Sequence, residues 1–314
     1  MPLLRFLPEA TKIDFVGARY FAFALDGLLL LASIVSIAVH GFNLGIDFTG
    51  GVQMEVKYVR EIDIDQVRRD ISGLGFRDPE IQYFGGGGQC DRPANSCVLI
   101  RVQPQSDAAN QAVAQTIREK LGAGYDFRNT EVVGPKVSGE LFRAGILATL
   151  LAVVAIAIWV AFRFEWQYGV SAALATGHDV LVTAGLYSIV HLDFTLTSIA
   201  ALLTLAGYSI NDTVVVFDRI RENRRKYKRM PLGELINLST NQMLTRTILT
   251  SVATSVSIIP LLVYGGPSLF DFSAAILFGI VVGTFSSIYV AAALLLYLPA
   301  PAGNVSADTA DASA

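Results

Sequence analysis

Four ionisable residues lie within or beside long apolar stretches of the chain, where they could bind or pass protons. His178 and Asp179 stand near the middle of one such stretch, roughly 16 Å from its start at the rise of a helix. Asp212 precedes Arg219 by about two helical turns, and Arg246 directly precedes another apolar stretch. An ionisable side chain in a membrane span costs at least about 2.5–3.5 kcal/mol, so these residues are candidates for function.

We expect Asp212 and Arg246 to form a switchable pair. The ionised carboxylate attracts the guanidinium, and a proton on Asp212 removes the attraction and lets the two helices separate. The alternative is a structural ion pair, or an arginine that snorkels to lipid phosphates, and for Arg246 this alternative stays open. For Asp212 the functional interpretation is favoured because Gly207, Ser209 and Asn211 predict a small, polar, hydratable helix face.

His178 and Asp179 are neighbours in sequence, so on a helix their side chains point about 100° apart. We therefore predict that they do not form a dyad by themselves. Thr176 and Gly177 predict a close approach of another helix, and for His178 an interhelical hydrogen bond and a proton relay remain equal alternatives. Asp179 is a proton-coupling candidate, whereas Asp26 is interpreted as structural.

The composition places these residues in a membrane protein. The chain is 53% hydrophobic and 16% charged, whereas an ordinary soluble domain is about a quarter charged, which argues against a typical cytosolic enzyme. A net charge of −3 gives no basic field for nucleic acid, and three His and two Cys leave little for a metal cluster. A spanning helix needs about 20 apolar residues, and six transmembrane helices are predicted: 20–40, 141–162, 168–190, 195–217, 246–264 and 273–298.

Basic residues in the short loops predict the orientation. They occur in the N-terminal tail (1–19), at Arg163 and throughout the loop 218–245, and they are absent from the opposite short loops. Both termini, including the tail 300–314, are therefore predicted to be cytoplasmic, and the segment 41–139 to be periplasmic. The basic stretch is predicted to extend the fourth span, and Leu232–Leu244 to form an interfacial amphipathic helix.

The outer segment predicts a ferredoxin-like βαββαβ domain. Its glycine run at 85–88 is interpreted as a turn rather than a phosphate-binding loop, because no lysine and no helix follow it. Cys90 and Cys97 lie on the predicted oxidising side, and we expect a hairpin-closing disulfide between them. A metal site would need further ligands, and this segment contains no histidine. The fold class is thus a polytopic α-helical membrane protein with one extracytoplasmic α+β domain.

Six motifs, in order along nearly the whole chain, make the sequence resemble the SecF family of bacterial protein-export subunits. One is the run GIDFTGG after the first span, and the longest reads GYSINDTVVVFDRIREN. The six lie at 45–51, 133–140, 177–179, 207–223, 245–247 and 286–291.

This resemblance implies a membrane fold of the resistance-nodulation-division type, completed by a homologous six-span partner, SecD. It implies protein export across the cell inner membrane, with an unfolded secretory protein as the substrate. The implied partners are the SecYEG channel with its associated accessory proteins, and membrane lipids. The proton gradient would supply the energy, with no cofactor. The aspartate and arginine that the family ties to proton transport match Asp212 and Arg246.

Two other functions compete with this interpretation. An intramembrane aspartyl protease would use Asp179 and Asp212 as a dyad, but such enzymes carry Gly-x-Gly-Asp before the second aspartate, and here the run is SIND. A small-molecule or lipid exporter of the same superfamily usually has twelve spans and two large outer domains in one chain. We therefore expect a transport subunit and not an enzyme.

Overall fold

A computed structural model describes residues 11–74, 76, 79–83, 96–103, 107–122, 124–265 and 267–299. The helices of this part are α1 (Arg19–His40), α2 (Ile46–Thr49), α3 (Ile64–Ser72), α4 (Asp107–Leu121), α5 (Pro135–Arg163), α6 (Trp166–Val190), α7 (Leu196–Lys226), α8 (Leu232–Tyr264), α9 (Pro267–Ser286) and α10 (Ala292–Leu294). The strands are β1 (Asn43–Leu44), β2 (Gly51–Tyr58), β3 (Glu80–Tyr83), β4 (Cys97–Val102), β5 (Tyr125–Val133) and β6 (Asp193–Phe194).

Within the described residues, six helices are long and apolar enough to cross a membrane, which confirms the predicted number of spans. They are α1, α5, α6, α7, α8, and α9 together with α10. A π-helical turn, Ser287–Ala291, joins α9 to α10. Such turns insert an extra residue into a helix and are frequent at functional positions.

The two longest helices extend well past the apolar stretches. The basic end of α7 continues the fourth span as a helix to Lys226, as predicted. The prediction of a separate interfacial helix at 232–244 was wrong, because α8 runs unbroken from Leu232 to Tyr264. Leu235 and Ile236 are buried in one cluster with Phe217 and Ile220 of α7. The apolar face of this segment therefore packs on another helix, and an amphipathic pattern alone does not distinguish a protein neighbour from a lipid surface.

The segment between α1 and α5 folds as a four-stranded antiparallel sheet with α3 and α4. The strand order is β3-β4-β2-β5, which is the predicted ferredoxin-like arrangement. Alternate residues of β2, namely Val52, Met54 and Val56, are buried in its core. The glycine run 85–88 and Cys90 lie outside the described residues, while Cys97 is buried, so the disulfide stays a prediction.

Asp193, the first residue of β6 between α6 and α7, joins the sheet domain to the helical bundle. It forms an ion pair with Arg101 of β4 and accepts a 2.7 Å hydrogen bond from the side chain of Asn43. Arg101 also donates to Gln53 of β2 at 2.7 Å. The strand pair β1–β6 lies at the same junction. Both central strands of the sheet are thereby tied to one point on the bundle.

Helices α1 and α6 pack closely through small residues. Gly185 lies so near Ser33 that a Cβ atom there would stand 2.2 Å from the Cβ of Ser33. The hydroxyl groups of Ser36 and Ser188 form a 2.9 Å hydrogen bond. The close approach predicted at Gly177 was wrong, because a Cβ there would meet nothing within 4 Å. The tight contact lies about two turns further along α6.

Replacing Arg101 with methionine should loosen the junction between the sheet domain and the helical bundle. The substitution leaves the partly buried Asp193 carboxylate without its cation, and losing a hydrogen bond to a charged group costs about 1.5–3 kcal/mol. Hydrogen exchange should therefore rise about tenfold in 43–50 and 191–197, measured by mass spectrometry. Arg68→Met removes an exposed pair with Asp65 worth about 0.3–0.5 kcal/mol and is the control. Equal exchange rates in both variants would contradict the role of the Arg101–Asp193 pair in holding the sheet domain on the bundle.

Substituting alanine for Gly185 should destabilise the bundle by about 1–3 kcal/mol, because the new methyl group overlaps Ser33 and forces α1 away from α6. Thermal unfolding of the full chain in lipid nanodiscs measures the effect. Gly177→Ala on the same helix meets open space and should leave the melting temperature unchanged or slightly raised. Similar losses in both variants would show that close packing is not the cause.

Candidate functional site

Asp212 of α7 is a buried carboxylate with little hydrogen bonding. Its side chain faces α8, where Thr250 Oγ1 donates to Oδ1 over a long 3.5 Å. Within the described part of the chain, Oδ2 has no hydrogen-bond partner. An ionised carboxylate in such surroundings is costly unless it is paired. The position therefore favours a group that takes up and releases a proton.

Arg246 lies on α8, one turn before Thr250. It is therefore closer than Thr250 to the basic end of α7. It lines an open cavity of about 480 Å³ together with Asp218, Glu222 and Trp159. The hydrogen bonds and ion pairs found among the described residues do not join Arg246 to Asp212. The structure thus places the predicted pair on facing helices, with the two side chains apart in this conformation.

The small and polar residues near Asp212 do not share one face of α7. Gly207 and Asn211 are exposed, one turn apart on the outer side of the helix. Ser209 is fully buried on the other side, where its hydroxyl donates to Asp179 Oδ2. The prediction of a single hydratable face was therefore wrong, because residues two positions apart point about 200° from each other around a helix.

His178 and Asp179 contact each other directly. Nδ1 of His178 lies 3.0 Å from Oδ1 of Asp179, and Asp179 is fully buried. The prediction that they would not pair was wrong, because adjacent Cβ directions that diverge by 100° still allow a ring and a carboxylate to meet at their tips. Asp179 therefore accepts hydrogen bonds from His178, when Nδ1 carries its proton, and from Ser209.

Asp26 of α1 completes this cluster, although the sequence analysis interpreted it as structural. Nε2 of His178 lies 3.3 Å from the backbone oxygen of Asp26 and 4.0 Å from its Oδ2. Asp26 is 4% exposed. The sequence contained a signal for this role. Asp26 is as many residues from Arg19 as Asp212 is from Arg219, so both aspartates stand roughly 10 Å inside a span.

A set of buried hydroxyl groups connects the surroundings of the two carboxylates. Ser287, in the π-helical turn, contacts the hydroxyl of Thr213 at 2.9 Å and the backbone oxygen of Ser209 at 3.4 Å. Thr213 is the neighbour of Asp212, and Ser209 contacts Asp179. The amino-acid sequence does not single out these hydroxyls, because serine and threonine are common in apolar helices and only the packing shows which of them face each other.

Comparison with known proteins decides the family. Residues 113–300 match the C-terminal family of the SecD/SecF protein export membrane proteins, and residues 35–61 match the SecD/SecF GG motif. A protein translocase subunit SecF from Cereibacter sphaeroides is 41% identical over 98% of this chain and 95% of its own length. The SecF of Escherichia coli O157:H7 is 39% identical over 91% of this chain and 87% of its own. The chain belongs to the SecF family.

Solved structures agree with this assignment. The crystal structure of SecDF, a translocon-associated membrane protein from Thermus thermophilus, matches 93% of this SecF-family chain with a TM-score of 0.81 and 36% identity. SecDF in a super-membrane-facing form matches 94% of it with a TM-score of 0.66 and 37% identity. This chain spans 39% of each SecDF chain.

The protease and exporter interpretations receive no support. The SecF-family relatives are named as protein translocase subunits. In the described residues, Asp179 bonds to His178 and Ser209 whereas Asp212 bonds to Thr250. The two aspartates therefore have separate surroundings, and they do not form the carboxylate dyad that a protease would need.

Removing the hydroxyl of Ser209 should destabilise the SecF-family bundle measurably. Ser209→Ala leaves Asp179 Oδ2 without its donor in a fully buried position, at a cost of about 1–3 kcal/mol. The melting temperature of the full chain in nanodiscs measures this. Ser257→Ala is the control, since this exposed hydroxyl bonds only to its own helix backbone and should change stability by less than about 0.5 kcal/mol. A small effect at Ser209 would contradict the hydrogen bond.

Proposed function

We propose that the chain is the SecF subunit of a protein-export machine that uses the proton gradient, working together with SecD. The observation that carries the proposal is the buried carboxylate of Asp212 within a SecF-family bundle: among the described residues, Thr250 donates to one of its oxygens over 3.5 Å, and the other oxygen has no hydrogen-bond partner. A charge-bearing group in a span without a fixed partner is expected where ions are moved. The names of the relatives and of the SecDF structures support the export role.

The exposed side of α7 is the proposed contact with SecD. Gly207 and Asn211 lie there, and a polar amide facing lipid is unfavourable. The neighbouring helices α5 and α8 are the least covered spans: about a tenth of each apolar segment is buried, against half or more for α6, α7 and α9. A second six-span subunit on this side would cover all three helices. It would also enclose Asp212 and Arg246 between the two subunits.

Proton exchange at Asp212 would change the force between α7 and α8. The ionised carboxylate attracts Arg246, which lies one turn before Thr250 on α8, and the protonated carboxyl does not. When the attraction is switched, α7 shifts or tilts relative to α8. Because α7 begins at Leu196, only three residues after Asp193, such a movement reaches the point that holds Arg101. The sheet domain would follow the helix and pull or release an unfolded secretory protein.

The distribution of basic residues gives the proposed orientation of the chain in the membrane. The basic end of α7 and the N-terminal segment face the cytoplasm, where they meet anionic lipid. The domain 41–139 then lies in the periplasm, beyond the inner membrane, where it can meet a polypeptide that leaves the SecYEG channel. His178 and Asp179 are further candidates for proton coupling. The proton gradient is the energy source, and the proposal needs no cofactor.

Asp212→Asn and Arg246→Met should each abolish the gradient-dependent part of export while leaving the gradient-independent part intact, because neither variant can switch the attraction between α7 and α8. The measurement is export of a secretory protein into inverted inner-membrane vesicles, with and without a proton gradient, after co-expression with SecD and a check of assembly. Asp65→Asn removes an exposed carboxylate of the sheet domain and should behave as wild type. Normal gradient-dependent export in both variants would refute the proposal.

A further inference from the structure

The contact between α1 and α6 encloses a buried carboxylate to which the proposed switch at Asp212 gives no role. Asp26 is 4% exposed, and within the described residues neither of its carboxylate oxygens has a hydrogen-bond partner. Its nearest ionisable neighbour is His178, whose Nε2 lies 4.0 Å from Oδ2. The other side of the same imidazole contacts Asp179. One histidine is therefore flanked by two buried carboxyl groups.

In the part of the chain that the structure describes, the helices packed around this cluster contribute no cation other than His178. From α1 the ionisable group is Asp26, and from α6 the groups are His178 and Asp179. The neighbours from α7 and α9 are Ser209 and Gly283. In the described part of the chain, the ion pairs of both aspartates are with His178 alone. Two ionised carboxylates beside a neutral imidazole would bury two negative charges, so the cluster must hold at least one proton.

The two carboxyl groups are not equivalent. Asp179 is surrounded by donors, since Ser209 bonds to one oxygen and His178 to the other, which suits an ionised group. Asp26 has no donor on either oxygen, which suits a neutral carboxyl group. This asymmetry identifies Asp26 as the member that holds a removable proton.

We propose that Asp26, His178 and Asp179 form a second proton-binding site, separate from Asp212, in which Asp26 carries the exchangeable proton. Proton binding there is independent of the export role; only its coupling to export rests on the proposed function. When Asp26 ionises, its proton passes to water at the Arg19 end of α1, roughly 10 Å away. The new carboxylate is attracted to His178, which is protonated on both ring nitrogens, and it competes with the backbone oxygen of Asp26 for the Nε2 proton; the O–H bond of Asp26 is the one covalent bond broken.

Ionisation of Asp26 would move α1. Closing the distance between His178 Nε2 and Asp26 Oδ2 from 4.0 Å to a charge-assisted hydrogen bond of about 2.8 Å brings the helices about 1 Å closer. Ser33 and Gly185 already touch on the same pair of helices, so α1 would pivot or slide about that contact. The change would also reach α7, because Asp179 is bonded to Ser209. The first helix thus becomes sensitive to protons although it carries no part of the Asp212 switch.

Infrared difference spectroscopy of the full chain in lipid nanodiscs tests the site directly, because a protonated carboxyl group gives a carbonyl band that a carboxylate lacks. We expect a band that disappears as pH rises, is abolished by Asp26→Asn and is retained in Asp212→Asn. Asp26→Glu keeps a carboxyl group and should shift the band, which guards against misfolding of the amide variant.

His178→Gln removes the cation, so the band should persist across the pH range. Ser36→Ala, which removes only the hydrogen bond to Ser188, should leave the band unchanged.

A band unaltered by Asp26→Asn, or an unchanged pH response in His178→Gln, would overturn the proposal. Coupling is measured separately: Asp26→Asn should reduce gradient-dependent export at least tenfold in the vesicle assay, with Ser36→Ala as control. Normal export by Asp26→Asn with the band abolished would overturn the coupling and leave the proton site intact. Normal export by Asp212→Asn would refute the proposed switch, while the infrared result would still decide whether Asp26 binds a proton.

Discussion

The cost of placing charge in an apolar bundle governs this structure. In the spans, every ionised group must be paired, neutralised by a proton or placed at an end where it reaches water. The bundle contains groups suited to each solution. Within the described residues, Asp179 has two hydrogen-bond donors, Asp26 has none and Asp212 has one at 3.5 Å, while Arg246 lines an open cavity near the basic end of α7. A change of protonation at Asp26 or Asp212 would therefore break few contacts of the fold.

Helix α7 lies between the two buried carboxyl sites. Its inner side carries Ser209, which bonds to Asp179 of α6, and another side carries Asp212, which faces α8. The hydroxyls of Thr213 and Ser287 lie between these positions, and Ser287 belongs to the π-helical turn. A proton gained at either proposed site would therefore alter contacts of the one helix that borders both. The two sites are mechanically joined without sharing a hydrogen bond.

The sequence predicted the membrane architecture well, because length and hydropathy determine a span almost independently of its neighbours. The six spans, the basic extension of α7 and the βαββαβ order all followed from local patterns. The errors concern partners. The apolar face of the segment 232–244 packs on α7, and His178 meets Asp179 and Asp26 although a helical wheel separates the first two. Which side chains face each other depends on how helices cross, and the residue types do not specify this.

The attachment of the sheet domain has a geometrical consequence. The domain is linked to the bundle by two covalent connections, one following α1 and one entering α5, and by the contact of Arg101 with Asp193. The covalent links meet the sheet at Gly51 of β2 and Val133 of β5, which pair with each other, and Arg101 lies near the same end of β4, on the other side of β2. The three attachments therefore form a row across one end of the sheet. A tilt of the Leu196 end of α7 would rock the domain about this end, and the far ends of the strands would move most.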